Sequence, residues 1–503
     1  MTEGVKHLET QISLTKVNKH ELQSSTQNRP KVASTRSSTF RKVPYTILHL
    51  REEIIIVIIT SLSGIWSTLS TSIYFPALPQ LSDDFQLSPQ IINISIVSYL
   101  IFQGITPTLI GTISDSYGRR PSILICLLSY CLICIAISFV NVYWAIAVLR
   151  CFQAAAIAPI ISVTSAIMSD ITETKNRGKF IGANIGLQLV GQAFGSLIGS
   201  LLLASFDTWR VLFLFLAIGS GCVMIVVLIV LPETNRKLVG NLSVKPTNLL
   251  SKAPIIYIPY FQSRLNNANE TIQERTPVNY LDPFKILFQP MIFMSMLASG
   301  FQFTAFTMCL TSMSTSLQID YGFSIIKVGL CYLAPGLGTL LGSIITGRII
   351  DLLYGRQKNR HTIKYCHLSK EERPEFNIIE SRFQTSIYTT LLIILFLIVF
   401  GWCLQFQVHI APILISTFLI SIGTVSFMSC MNTLLLDLFP DKGSSATACL
   451  NIVRCLLAAA GIGALQSLVD RIGIGGTYTL MSSFVLASFI VLLAVKRYIQ
   501  NQT

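Results

Sequence analysis

The chain has 503 residues, 51% of them hydrophobic and only 12% charged, with a mean hydropathy of +0.62. That balance excludes a soluble multidomain protein and excludes disorder for the bulk of the chain. The formal charge of +13 would suggest nucleic acid on a soluble domain, but here the cations are confined to segments between apolar runs, so no nucleic-acid partner is expected.

Residues 1–50 are polar, rich in Ser, Thr, Lys and Arg, and hold no apolar stretch resembling a cleaved signal. They read as a disordered cytosolic tail. A crossing needs about 20 apolar residues, and that requirement predicts twelve helices. The first six fall near 54–75, 90–112, 122–140, 144–168, 179–204 and 211–231. The last six fall near 286–315, 325–350, 383–405, 410–436, 445–468 and 476–496. The fold class is therefore an all-α polytopic membrane protein. Its expected parts are a bundle at 51–231, a cytosolic linker at 232–285, and a second bundle at 286–503 with a short cytosolic C-terminus.

The first helix carries Ser63, Ser67, Ser70 and Tyr74 at spacings that share one face, a stripe of donors and acceptors suited to a cavity wall. After the second helix comes Gly111-Thr-Ile-Ser-Asp115-Ser-Tyr-Gly118-Arg119-Arg120. In this loop Gly111 permits close helix approach, Asp115 suits a helix N-terminus or an Arg, and the two Arg suit the anionic inner leaflet. Cys131 and Cys134 in the third helix have metal-like spacing but no partner pair, so no metal is expected. Eleven of the twelve Cys lie in apolar runs, which excludes a disulfide framework.

The fourth helix holds Arg150 and Gln153. A charge within a span costs about 2.5–3.5 kcal/mol on insertion scales and normally faces a wet cavity, so Arg150 is a candidate for substrate or coupling work. The fifth helix is lined by Gly182, Gly186, Gly191, Gly195 and Gly199, a surface for close backbone packing, with Gln188 and Gln192 among them. The sequons at Asn241 and Asn269 fall in the inner linker and should stay unmodified. In the second half, Gln302 lies in the seventh helix, Asn432 in the tenth, and Asn451 and Arg454 in the eleventh. Asn93, Tyr99, Gln103 and Asn184 add polar groups to the first half. No Asp, Glu or His is visible well inside any predicted span, which favours neutral, zwitterionic or weakly acidic solutes over cations.

After the eighth helix the loop pattern recurs as Gly347-Arg-Ile-Ile-Asp351-Leu-Leu-Tyr-Gly355-Arg356. Two copies at matching positions suggest two related bundles with a latch at the inner end of each. With the N-terminus in the cytosol, 32 of the 37 cations fall on the inner side, three on the outer side (Arg210, Lys327, Arg471) and two within spans. This asymmetry places both termini in the cytosol.

Gly111 to Arg120, Arg150-Cys-Phe-Gln153 and Tyr74-Phe-Pro-Ala-Leu-Pro79 resemble signatures of the major facilitator superfamily. More narrowly, the chain resembles the fungal twelve-spanning drug:proton antiporters of the quinidine-resistance branch. That likeness rests on Leu231-Pro-Glu-Thr-Asn-Arg-Lys-Leu-Val-Gly240, Tyr321-Gly-Phe-Ser324, Gly329-Leu-Cys-Tyr-Leu333 and Asn451-Ile-Val-Arg-Cys455. Gly191 and Gly195 match the family's antiporter motif, with Gln192 standing where the motif has Pro. The resemblance implies two six-helix bundles of the major facilitator fold. It also implies a plasma-membrane exporter of small organic compounds driven by inward proton flow, acting as a monomer among membrane lipids, with no cofactor and no enzymatic chemistry. A proton-independent facilitator, or an exporter of one metabolite such as an amino acid or weak acid, is the alternative.

Overall fold

A computed structural model describes residues 46–172, 177–244, 249–254, 289–364, 378–438 and 443–500. The expected N-terminal tail and most of the expected linker lie outside the described residues.

The first half comprises α1 (Leu50–Ser72), α2 (Pro89–Tyr117), α3 (Arg119–Phe139), α4 (Tyr143–Ile171), α5 (Arg177–Phe206) and α6 (Arg210–Val230). The second comprises α7 (Pro290–Ile319), α8 (Ile325–Cys331 continuing as Leu333–Lys364), α9 (Ile378–Gln405), α10 (Ile410–Leu438), and α11 and α12 at 443–472 and 474–500. Pro89 and Pro290 open their helices at the first turn, where a missing N–H costs nothing. After α1 the chain turns through Phe75–Ala77 into a short helix, Leu78–Phe85, which rests on α2.

Two features differ from the hydropathy reading. The eighth helix does not stop near 350 but runs on to Lys364, because Gly355 is the only strong helix breaker after Gly347 and the polar residues there are good helix formers. The last two crossings are joined without a loop: Thr447–Tyr498 forms one 52-residue apolar stretch interrupted by Gly473 at φ 74° and ψ 169°. At 1.5 Å per residue it would span about 78 Å if straight, against a hydrocarbon core of about 30 Å. It therefore crosses twice, and α12 returns to pack on α9 through Gly401 against Tyr478.

Within the first half α1 packs on α5, α2 on α4, and α3 on α6; within the second, α7 packs on α11, α8 on α10, and α9 on α10 and α12. The two halves meet along α2 with α11 and along α5 with α8. Large apolar side chains such as Leu132, Phe139, Ile218 and Leu395 stay exposed on the outer surface, as lipid contact requires. Small residues make the closest contacts. A Cβ on Gly191 would sit 2.4 Å from the Ile65 carbonyl of α1, and Cβ atoms on Gly195 and Gly199 would strike Ser72 and the Ile73 carbonyl. Gly186 meets nothing within 4 Å.

The halves are closed against each other at the end that carries residues 73–90. There Ser314 donates to the Phe75 carbonyl at 2.6 Å, Gln318 donates to the Pro76 carbonyl at 3.2 Å, and the Phe75 and Tyr332 rings stack at 6.0 Å. At the opposite end, a Cβ added at Gly111 or Gly347 would meet none of the described residues within 4 Å.

Candidate functional site

Arg150 is carried by α4 into the interior of the first half, where it is 2% exposed. Its guanidinium carbon lies 4.1 Å from the Tyr74 ring centre and 4.3 Å from that of Tyr99, so two aromatic faces, one from the turn after α1 and one from α2, hold the cation. Its Nη1 donates to Gln153 Oε1 at 2.8 Å, one helical turn on, and Gln153 Nε2 donates to the Cys134 sulfur at 3.1 Å. The Tyr74 and Ser95 hydroxyls share a hydrogen bond of 2.7 Å. Arg150 thus meets aromatic rings and an amide, and among the described residues no carboxylate pairs with it. Asp115 pairs with Arg119, one of the two roles its place in the loop suggested.

Among the described residues of this half, Arg150 Nε, the hydroxyls of Tyr99 and Ser67, and Gln103 Oε1 are buried polar atoms without hydrogen-bond partners. Unpaired polar groups of this density are costly in a dry interior and are normally satisfied by water. The hydroxyl stripe of α1 therefore faces the interior of the first half.

Other polar side chains tie helices together. Gln188 is buried and donates to Thr164 of α4 at 3.1 Å, while Asn184 meets Thr60 and Ser61 of α1. Gln302 is fully buried and donates to Thr390 of α9 at 3.0 Å, which places it inside the second half. Gln192 and Asn432 are half-buried.

Arg454 is different. It lies about 17 Å along α11 from residue 443 at 1.5 Å per residue, yet it is partly exposed. Its Nε donates to Asn451 Oδ1 at 2.9 Å, its Nη1 approaches the Met428 sulfur at 3.8 Å, and the Phe303 ring lies 5.0 Å from its guanidinium carbon. These partners come from α11, α10 and α7 and are all neutral. On the same helix, Asn451, Ile452 and Cys455 touch α2 of the first half. Arg454 therefore stands near the junction of the halves with charge to spare.

The loop between α2 and α3 is bolted down by residues 231–254. Gly118 has φ 117°, and a Cβ there would fall 2.5 Å from Glu233 Oε2. The Glu233 carboxylate accepts backbone N–H groups from Arg119 at 2.9 Å, Arg120 at 3.3 Å, Thr234 at 3.0 Å and Asn235 at 3.0 Å. It thereby caps the N-terminus of α3, where a negative charge is favoured. Arg119 pairs with Asp115 and donates from Nε to Asp170 at 3.0 Å. Asn235 donates to the Asp115 carbonyl at 2.9 Å, and Arg120 donates to the carbonyls of Leu228, Leu250 and Lys252.

The second copy is built otherwise. Gly347, Gly355 and Arg356 all lie within the continuous α8, Gly355 meets nothing within 4 Å, and Arg356 is exposed. The Asp351 side chain lies outside the described residues. Among the described residues no group of His, Cys, Asp or Glu is arranged to hold a metal.

Asp170 was not singled out from sequence, and Glu233 and Asn235 only as part of a resemblance. A polar residue just past a span, after a Pro, is the signal that Glu233 offered. Its partners on α3, Arg119 and Arg120, lie more than a hundred residues away and are legible only in three dimensions.

Known proteins agree with this architecture. Residues 60–363 match the family described as the Major Facilitator Superfamily. The chain is 45% identical over 465 residues to a Candida albicans protein named MFS antiporter QDR2, covering 92% of each chain. It is 35% identical to the Saccharomyces cerevisiae Quinidine resistance protein 1, covering 90% of this chain and 84% of that one. Among solved structures, the xylose transporter XylE from E. coli in a partially occluded inward open conformation superposes with a TM-score of 0.63 at 13% identity. That match covers 88% of this chain and 98% of XylE.

Proposed function

Because the chain belongs to the major facilitator superfamily, and within it to the group of fungal quinidine-resistance antiporters, we propose that it is a secondary active exporter of small organic compounds. It works at the plasma membrane by alternating access between its halves and exchanges solute for inward-moving protons. Both termini and the 232–285 segment face the cytosol, on the strength of the cation asymmetry. The closed end at residues 73–90 is then the outer end, and the arrangement described is open to the cytosol.

The observation that carries the substrate reading is Arg454. A partly exposed cation in mid-span has only neutral protein partners, and among the described residues no carboxylate lies mid-span to balance it. At low dielectric a cationic solute meets strong repulsion there. The preferred solutes are therefore neutral, zwitterionic or weakly acidic. A weak acid also carries its own exchangeable proton.

The test is transport in proteoliposomes. A permanent organic cation and a weak acid of similar size compete for efflux, with and without an imposed pH gradient. The weak acid should win, and its flux should follow the gradient. Preference for the quaternary cation overturns the charge reading. Flux indifferent to the gradient replaces antiport with facilitated diffusion.

A further inference from the structure

Four positions on one face of α2, seven residues apart, trace its path along α11: Gln90, Val97, Gly104 and Gly111. Gln90 donates to Ser467 at 3.1 Å, and Val97 lies beside Gly463. A Cβ on Gly104 would come within 2.9 Å of the Cys455 Cβ, with Ile452 backbone atoms 3.5 Å away. Gly111 meets nothing within 4 Å. The helices of the two halves run together from the closed end as far as Gly104, and at Gly111 an added side chain would meet none of the described residues.

Just past Gly104, α2 contains Pro107. Proline has no N–H, so the carbonyl four residues earlier, that of Gln103, loses its helical donor. A freed carbonyl in a membrane needs another partner. Asn451 of α11 supplies it: its Nδ2 donates to the Gln103 carbonyl at 2.9 Å and reaches the Gly104 carbonyl at 3.4 Å. The other end of the same amide, Oδ1, accepts from Arg454 Nε at 2.9 Å. One side chain thus joins the partly exposed cation of the second half to a backbone defect of the first.

We propose that Asn451 is a positioning residue that couples occupancy of Arg454 to the packing of α2 on α11, through the carbonyl that Pro107 leaves free. This rests on the reading of Arg454 as the contact for a weak-acid solute. A carboxylate binds guanidinium best through two parallel N–H···O bonds. One that takes the Nε edge displaces Asn451 Oδ1, and the amide is then no longer held against the Gln103 carbonyl. Solute binding loosens the bond that keeps the halves in the arrangement open at Gly111.

The experiment reads that arrangement directly. In full-length protein carrying Gly111→Cys, the maleimide labelling rate at position 111 is followed by peptide mass. Pro107→Ala restores the helical donor to Gln103 and so competes with Asn451, while Asn451→Ala removes the bridge. Each should lower labelling at least threefold without solute, and the double variant should lower it no further, because both cut one link. Benzoate should lower labelling in the parent but have no added effect in either variant. Pro107→Ala, which adds a hydrogen bond, keeps the test valid even if Asn451→Ala folds poorly. No change in Pro107→Ala, or effects that multiply in the double variant, overturns the proposal. A parent that responds to a quaternary ammonium ion and not to benzoate refutes the weak-acid reading instead, and the solute-free labelling still decides the bridge.

Discussion

Arg150 shows how much a sequence can say about a single side chain. An Arg within a span announces that something must compensate it, and that much was legible. The compensation itself was not, because Tyr74 and Tyr99 reach it from two other elements. Desolvated cation–π contacts are each worth about 2 kcal/mol, so Arg150→Gln should lower the melting midpoint in detergent as well as transport. Arg150→Lys keeps the charge but loses the planar fork that serves Gln153 and two ring faces. It should express at near parental level and lose at least about tenfold in transport, about 1.4 kcal/mol in barrier terms. Glu233 makes the opposite case, a residue whose work is invisible until the chain folds. Glu233→Ala leaves two N–H groups at the start of α3, and two in its own segment, without their acceptor. Helix-cap losses run about 0.5–2 kcal/mol, and a charged acceptor belongs at the upper end. Proteolysis near Arg119 should become faster in the variant, and unchanged proteolysis would contradict the capping role.

At the level of helices, hydropathy located every crossing because lipid leaves the backbone no alternative to internal hydrogen bonding. It could not find the end of α8, since the polar sequence at 350–364 continues the helix without an apolar signal. Nor did it register that the last two crossings share a continuous backbone turn at Gly473. The glycine row of α5 was legible as a packing surface, but its division was not. Gly191 lies against the Ile65 carbonyl, whereas Gly186 meets nothing. Gly191→Ala should therefore destabilise the protein by about 1–3 kcal/mol through overpacking. Gly186→Ala should be neutral or slightly stabilising, since Ala is the better helix former by about 1 kcal/mol. Thermal melts of the two variants side by side check the difference, and equal losses would mean that the row acts as one surface.

For the whole molecule, the repeated loop suggests two halves, and the cation asymmetry supplies the proposed orientation, because translocation is selective for charge. How the halves meet is not legible there, since it depends on Gly104, Pro107 and Asn451 coming together from positions more than three hundred residues apart. The orientation is checked by cysteine scanning in intact cells. An impermeant maleimide should label Lys327→Cys and leave Arg356→Cys untouched, and the reverse pattern would invert the assignment. The connections themselves carry a further consequence. At the end that holds residues 73–90, the chain turns at 140–142, 207–209, 320–324, 406–409 and at Gly473 alone, with Leu78–Phe85 the one longer excursion. The two widest gaps between helices, from 230 to 290 and from 364 to 378, begin and finish at helix ends on the opposite side. On the proposed orientation, a cell carrying this protein at its surface shows the outside world almost no epitope. Antibodies raised against the purified protein will be dominated by clones that bind only after the membrane has been permeabilised.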